Sequence, residues 1–161
     1  MPHDKTIKAS IIGITGYTGL ELLRLLLAHP AVEIAHLTAR SVEDSDIGDV
    51  FPHLAHLDLT ITSADHKEIV KNSDIVFICL PHKTAQDVVA DLHGKVKIVD
   101  LSADYRLDDA ATYEKYYEKH NHPDLLKEVV YGLPEIVGAD ATTGSGTGAH
   151  PGCVALPSHR P

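Results

Sequence analysis

The run "GITGYTG" at residues 13–19 constrains this chain more than any other stretch. It follows the Ile-rich segment "IKASIIGI" (7–14), which reads as a strand. It precedes "TGLELLRLLLAH" (18–29), whose apolar residues at 20, 22, 23, 26 and 27 form one wide helical face. Thr18 with Glu21 has the pattern of a capping box, and Pro30 marks the helix stop. Glycines at 13, 16 and 19 in a strand-to-helix turn fit the fingerprint of a dinucleotide-binding loop. In that reading Gly13 permits the tight turn, Gly16 lets the backbone approach a pyrophosphate, and Gly19 lets the helix pack closely on the sheet. Free N–H groups at the helix start, with the positive end of its dipole, suit phosphate. An ordinary glycine turn is the competing reading.

The chain continues with the same alternation. "VEIAHLT" (32–38) reads as a second strand, "DHKEIVKNS" (65–73) as a short helix and "DIVFICLP" (74–81) as a third strand. "TAQDVVADLHG" (84–94) is a helix closed by Gly94, and "KVKIVDLS" (95–102) a fourth strand. Residues 41–63, with Pro52 among them, read as irregular. Strands alternating with helices predict an α/β fold, a Rossmann-like doubly wound parallel sheet. Beyond residue 103, "DDAATYEKYYEKHN" (108–121) is a polar helix. The spacing of its tyrosines at 113, 116 and 117 suits packing against a neighbour better than a cofactor box. "EVVYGLPE" (128–135) is a short strand into a turn. From 137 onward the chain is small and glycine-rich, and "ADATTGSGTGA" (139–149) offers no apolar run for a buried strand. The expected division is a nucleotide-binding domain over 1–136 and an irregular tail over 137–161.

Fourteen Lys and Arg against 23 Asp and Glu give a net charge of −9, with no basic patch, which argues against a nucleic-acid partner. The longest apolar run, "LLRLLLA" (22–28), is broken by Arg24 and too short to span a bilayer. Because the first residues lack a signal core, a cytoplasmic protein without membrane contact is expected. Twelve histidines are scattered, and the pairs His53/His56 and His120/His122 lack further ligands, so no metal site is expected. Cys79 lies in the third apolar run and reads as inert core, whereas Cys153 follows Pro151-Gly152 near the end.

The end of the second strand selects the cofactor. An NAD site usually places an Asp or Glu about 20 residues after the glycines. Here the corresponding stretch is "LTARS" (37–41), without an acid. Arg40 beside Thr38 and Ser41 suits a 2′-phosphate, which favours NADP. The alternative is that Arg40 is a solvated surface charge, with Glu43 and Asp44 close by.

"GITGYTGLELLRLLLAHP", "LPH" (80–82), "DLSADYRL" (100–107) and "VYGLPE" (130–135) occur in an order that closely resembles the N-acetyl-gamma-glutamyl-phosphate reductases of arginine biosynthesis. The resemblance implies NADPH-dependent reduction of an acyl phosphate, a small-molecule substrate. A cysteine thiolate attacks the phosphorylated carbonyl, phosphate leaves, and hydride releases the semialdehyde from the thioester. By the same resemblance Gly13, Thr15, Gly16, Tyr17, Thr18 and Gly19 form the phosphate-binding loop. Leu80, Pro81 and His82 flank the nicotinamide side. Ser102 and Arg106 lie near the substrate, with Arg106 anchoring an anionic group; a salt bridge to Asp100 or Asp104 is its alternative role. The family's Asn-Pro-Gly-Cys run corresponds to His150-Pro151-Gly152-Cys153, which makes Cys153 the expected nucleophile.

Pro157 and Pro161 depart from the family, which continues into a helix after the cysteine. Family members also carry a second, larger domain that supplies the catalytic histidine and the contacts of a homo-oligomer. A truncated or altered end is therefore expected. Two readings follow: the reductase, with this chain as its cofactor portion plus nucleophile, or a module that binds NADP without turnover. Within the enzyme reading, the related carrier-linked aminoadipyl or glutamyl phosphate reductase, or an aspartate-semialdehyde dehydrogenase, is the alternative.

Overall fold

The computed structural model describes residues 6–40, 42, 44–63 and 65–132, and the backbone of 147–149. Expectations for Ser41, for Leu133 to Glu135 and for Cys153 fall outside these residues. The chain divides into two compact units, one ending at Cys79 and the other beginning at Leu80.

In the first unit, β1 (Ile7–Ile12) pairs in parallel with β2 (Val32–Thr38) on one side and β5 (Ile75–Ile78) on the other. Between them run α1 (Tyr17–Leu27) and α3 (His66–Asn72). Ala9, Ser10, Ile11 and Ile12 are all buried, which is the continuous burial of a strand covered on both faces. Asp65 caps α3, its carboxylate accepting from the amides of Lys67 and Glu68.

Two details of the sequence reading change here. Gly16, not Thr18, is the N-cap of α1, so Thr18 lies inside the first turn. Glu21 does not reach back to close a capping box. It holds Arg24 in a two-point pair, Nε to Oε2 at 2.9 Å and Nη2 to Oε1 at 2.5 Å. Residues 41–63 are also less irregular than expected. They contain β3 (Ser45–Asp46), α2 (Ile47–Val50), a 3-10 turn (Pro52–Leu54) and β4 (Thr60–Thr62). β4 extends the parallel sheet beyond β2, and β3 pairs antiparallel with it. These elements are too short for periodicity to show, yet Ile47 and Ile61 are fully buried with Ile11, Ile14, Leu23 and Leu37. Cys79 follows β5 and is only half-buried, packed against this core.

In the second unit, α4 (Thr84–Leu92) leads through Gly94, at φ +72°, into β6 (Lys97–Asp100). α5 (Ala110–Tyr116) follows, then a 3-10 turn (Pro123–Lys127) and β7 (Val130–Tyr131). Thr147–Ala149 forms β8, parallel to β6 on one side and to β7 on the other. The sequence reading found no apolar run for a buried strand in 139–149, yet three of its residues pair as one. An interior parallel strand is held by backbone ladders on both edges, so three small residues suffice without an apolar run.

Candidate functional site

The glycine loop hangs from the end of β2. The amides of Gly13 and Ile14 both donate to the Thr38 carbonyl, at 2.9 and 3.0 Å. Gly13 stands at φ +97°, a conformation that a side chain would strain. A Cβ on Gly19 would lie 2.5 Å from the Gly13 carbonyl oxygen and 2.9 Å from Ile14 Cα, so glycine is what lets α1 start against the loop. Gly16 differs. Its backbone is ordinary extended chain, and a Cβ there would come no nearer than 3.7 Å to Gly13 O and 3.8 Å to Cys79 O. The protein's own packing does not demand glycine at 16.

The first helical hydrogen bond of this turn is donated by Leu20 to Gly16 O at 3.0 Å. The amides of Tyr17, Thr18 and Gly19 precede it and have no helical acceptor. No acidic side chain sits in the first turn of α1 to compete for them. Thr15, Tyr17 and Thr18 are exposed, Tyr17 almost completely at 97%. These amides stand at the start of an 11-residue helix, the positive end of its dipole. Thr38 is buried and serves the loop through its carbonyl; its Oγ1, like His36 Nε2 two residues earlier, is buried without a hydrogen-bond partner. Arg40 is exposed just past β2 and makes no ion pair among the described residues.

In the second unit, Leu80, Pro81 and His82 begin a turn that ends at Lys83, which adopts φ +69° and ψ −46°. The Lys83 amide donates to Asp104 Oδ1 at 2.9 Å, and its Nζ pairs with Glu118. The His82 ring lies 5.7 Å from that of Tyr117.

The "SADYR" run is a compact hydrogen-bonded knot. Ser102 donates its amide to Asp100 Oδ1 (3.0 Å) and its hydroxyl to Oδ2 (2.7 Å), while Asp104 N donates to Ser102 Oγ (3.1 Å). The Tyr105 hydroxyl donates to the Gln86 carbonyl. Arg106 Nη2 donates to the Leu101 carbonyl at 3.0 Å, and its Nε is buried with no partner. Arg106 thus binds a carbonyl where the alternative reading put a carboxylate. Its charge still reaches Asp100, without outweighing the other influences on that group. Burial pushes the Asp100 carboxyl up to about 6, against the opposing pull of the Ser102 hydrogen bonds. Burial likewise raises the Tyr105 and Tyr113 hydroxyls, Tyr113 also through its bond to Asp104.

Sequence reasoning did not single out Gln86, and it named Asp104, Tyr113 and His120 only as a salt-bridge alternative, a packing tyrosine and half of a histidine pair. Tyr113 donates to Asp104 Oδ1 at 2.6 Å and accepts from Gln86 Nε2, whose Oε1 accepts from Asn121 N. His120 sits edge-on to Tyr105 and Tyr113, with Nε2 donating to the Asp104 carbonyl and Nδ1 accepting from His122 N. Burial holds its pKa below the usual range. The tyrosine spacing in "TYEKYY" pointed to packing against a neighbour, which holds for the buried Tyr113, whereas Tyr116 and Tyr117 are exposed.

Among the described residues, no helix is long and apolar enough to cross a membrane. Residues 8–143 match the family described as semialdehyde dehydrogenase, NAD binding domain. The chain is 46% identical over 150 residues to an N-acetyl-gamma-glutamyl-phosphate reductase of Halothermothrix orenii, covering 91% of this chain and 43% of that protein. An enzyme of the same name from Syntrophobacter fumaroxidans is 47% identical over 132 residues, covering 81% and 38%. The chain therefore spans about two-fifths of the length of these relatives. Among solved structures, the aspartate semialdehyde dehydrogenase with NADP from Candida albicans aligns with a TM-score of 0.62 at 21% identity, over 81% of this chain and 34% of that one. Aspartate semialdehyde dehydrogenase II of Vibrio cholerae aligns at 0.61 and 14%, over 91% and 42%. These likenesses establish the Rossmann-like α/β fold. With the family match running through both units, the chain belongs to the semialdehyde dehydrogenase NAD-binding-domain family.

Proposed function

We propose that this chain is the cofactor-binding portion of an NADPH-dependent reductase. The reaction converts N-acetyl-glutamyl 5-phosphate to N-acetyl-glutamate 5-semialdehyde in arginine biosynthesis. The observation that carries the reading is identity of 46% to a reductase of that name across 91% of this chain. The loop geometry supports it. The open backbone at Gly16 and the acceptor-less amides of Tyr17, Thr18 and Gly19 suit the pyrophosphate, with Gly13 and Thr15 shaping the turn. Arg40, free of described ion pairs, suits the 2′-phosphate together with Thr38 and Ser41. Leu80, Pro81 and His82 border the nicotinamide half.

NADPH, when bound, supplies the hydride. Cys153 is the nucleophile: its thiolate adds to the acyl-phosphate carbonyl, the C–O bond to phosphate breaks, and a thioester remains. Arg106 anchors an anionic group of the substrate, close to Ser102. The protein works in the cytoplasm, and the full-length enzyme is a homo-oligomer.

A second reading, an NADP-binding module without turnover, draws on the two-fifths share of the relatives' length. Following NADPH consumption by the purified chain with N-acetylglutamyl phosphate, beside Cys153→Ser, separates the two. Turnover lost in the serine variant supports the reductase with Cys153 as nucleophile. Binding of NADPH without consumption supports the module, and aspartyl phosphate as the better substrate would reassign the specificity.

A further inference from the structure

Lys83 is one of two described residues other than glycine with a positive φ, at +69°. Such a conformation persists in a residue with a Cβ only where the surroundings over-determine it. Here the restraint is specific. The Lys83 amide, first after the Leu80–His82 segment, donates to Asp104 Oδ1 over 2.9 Å. The same oxygen accepts the Tyr113 hydroxyl at 2.6 Å, and Asp104 is fully buried. Both backbone polar groups of Asp104 are also tied, its amide to Ser102 Oγ and its carbonyl to His120 Nε2. The anchor is therefore held at three points before it touches the turn. Around the turn, the His82 ring rests against Tyr117, and Lys83 Nζ pairs with Glu118.

We infer that Asp104 is a positioning residue: through the Lys83 amide it sets the conformation of the 80–83 turn. Under the reading in the previous subsection, on which this rests, it thereby places Leu80, Pro81 and His82 against the nicotinamide half of the cofactor. The buried "SADYR" run thus has a task beyond carrying Arg106. Asparagine at 104 should serve nearly as well as aspartate. Its side-chain oxygen can accept from both Lys83 N and Tyr113 OH, and its amide nitrogen would replace Oδ2, which has no partner.

The test measures binding of two probes by calorimetry: NADPH, and 2′,5′-ADP, which lacks the nicotinamide half. Asp104→Ala removes the acceptor. Lys83→Pro removes the donor from an exposed position and forbids the positive φ, leaving the buried network intact. Lys83→Ala keeps the amide and loses only the pair with Glu118. The expected result is about a tenfold weaker Kd for NADPH in Asp104→Ala and Lys83→Pro, the size of one lost hydrogen bond. Binding of 2′,5′-ADP should stay within about twofold, and Asp104→Asn and Lys83→Ala should bind NADPH like the parent. If Asp104→Ala does not fold by circular dichroism, Lys83→Pro decides alone. Unchanged NADPH affinity in Lys83→Pro, or equal loss of both probes, overturns the positioning role. Failure of the parent chain to bind either probe overturns the cofactor reading, and this inference with it.

Discussion

Gly19 lies so close to Gly13 that a Cβ on it would stand 2.5 Å from the Gly13 carbonyl oxygen. Both neighbours within 3 Å are backbone atoms, so no side chain can rotate away. Gly19→Ala must move either the start of α1 or the loop that Gly13 and Ile14 hang from Thr38. Overpacking of this kind costs about 1–3 kcal/mol. Urea denaturation should show that loss, and NADPH binding should weaken along with it. A Gly16→Ala variant should unfold like the parent, since a Cβ there meets only ordinary contacts, yet lose affinity for the pyrophosphate. Equal stability of both variants would contradict the packing argument.

Arg40 is exposed, and the cofactor reading gives it one job: to recognise the 2′-phosphate. Arg40→Ala should weaken binding of 2′,5′-ADP about tenfold or more, the scale of a lost charge-assisted hydrogen bond. Binding of 5′-AMP, which lacks the 2′-phosphate, should hardly change. Parallel losses for both nucleotides would mean that Arg40 shapes the site generally, and no loss for either would make it a solvated charge.

Asp100 makes stability depend on pH in the direction opposite to a salt-bridged carboxylate. Its folded pKa is raised from the ordinary 3.8 to about 6, chiefly by burial. Below pH 4 the group is protonated in folded and unfolded chains, and no penalty exists. As pH rises through 4 to 6 the unfolded chain ionises first and binds fewer protons, so folding weakens. The full difference is about 3 kcal/mol, reached above the folded pKa. Asp100→Asn keeps an acceptor for the Ser102 amide and removes this titration. Denaturation curves across pH 4 to 7 should show the variant gaining on the parent as pH rises. Parallel curves would place the ionisation elsewhere.

Much of the first unit was legible because its elements are long and periodic. The strand at 32–38 and the glycine loop sit where the pattern put them, and the helix at 65–73 is shortened only to 66–72. What stayed hidden has identifiable causes. The capping-box pattern of Thr18 and Glu21 competed with a glycine N-cap and a stronger Glu21–Arg24 pair. β4 is three residues long and owes its place to Ile61 in the core, which no local pattern announces. The knot around Asp104 joins residues up to 35 positions apart, from Gln86 to Asn121, and depends on a positive φ at Lys83 that composition does not reveal. Short-range motifs carried the glycine loop, whereas long-range hydrogen bonding carried the knot around Asp104.

The most instructive departure is β8, because Thr147–Ala149 has little strand propensity and yet pairs on both edges. Gly148 is opposite Val99 of β6 and Val130 of β7. If the two ladders, not the side chains, hold this strand, removing one backbone donor should matter far more than changing a side chain. Gly148→Pro deletes an N–H and places a ring inside a central strand, where proline is otherwise confined to edges. A loss of about 3 kcal/mol or more is expected in urea denaturation. Gly148→Ala, which keeps the donor, should cost far less and serves as the control. Should the proline variant unfold like the parent, residues 147–149 contribute no ladder in solution, and the segment from 137 onward would return to the irregular tail that its composition describes.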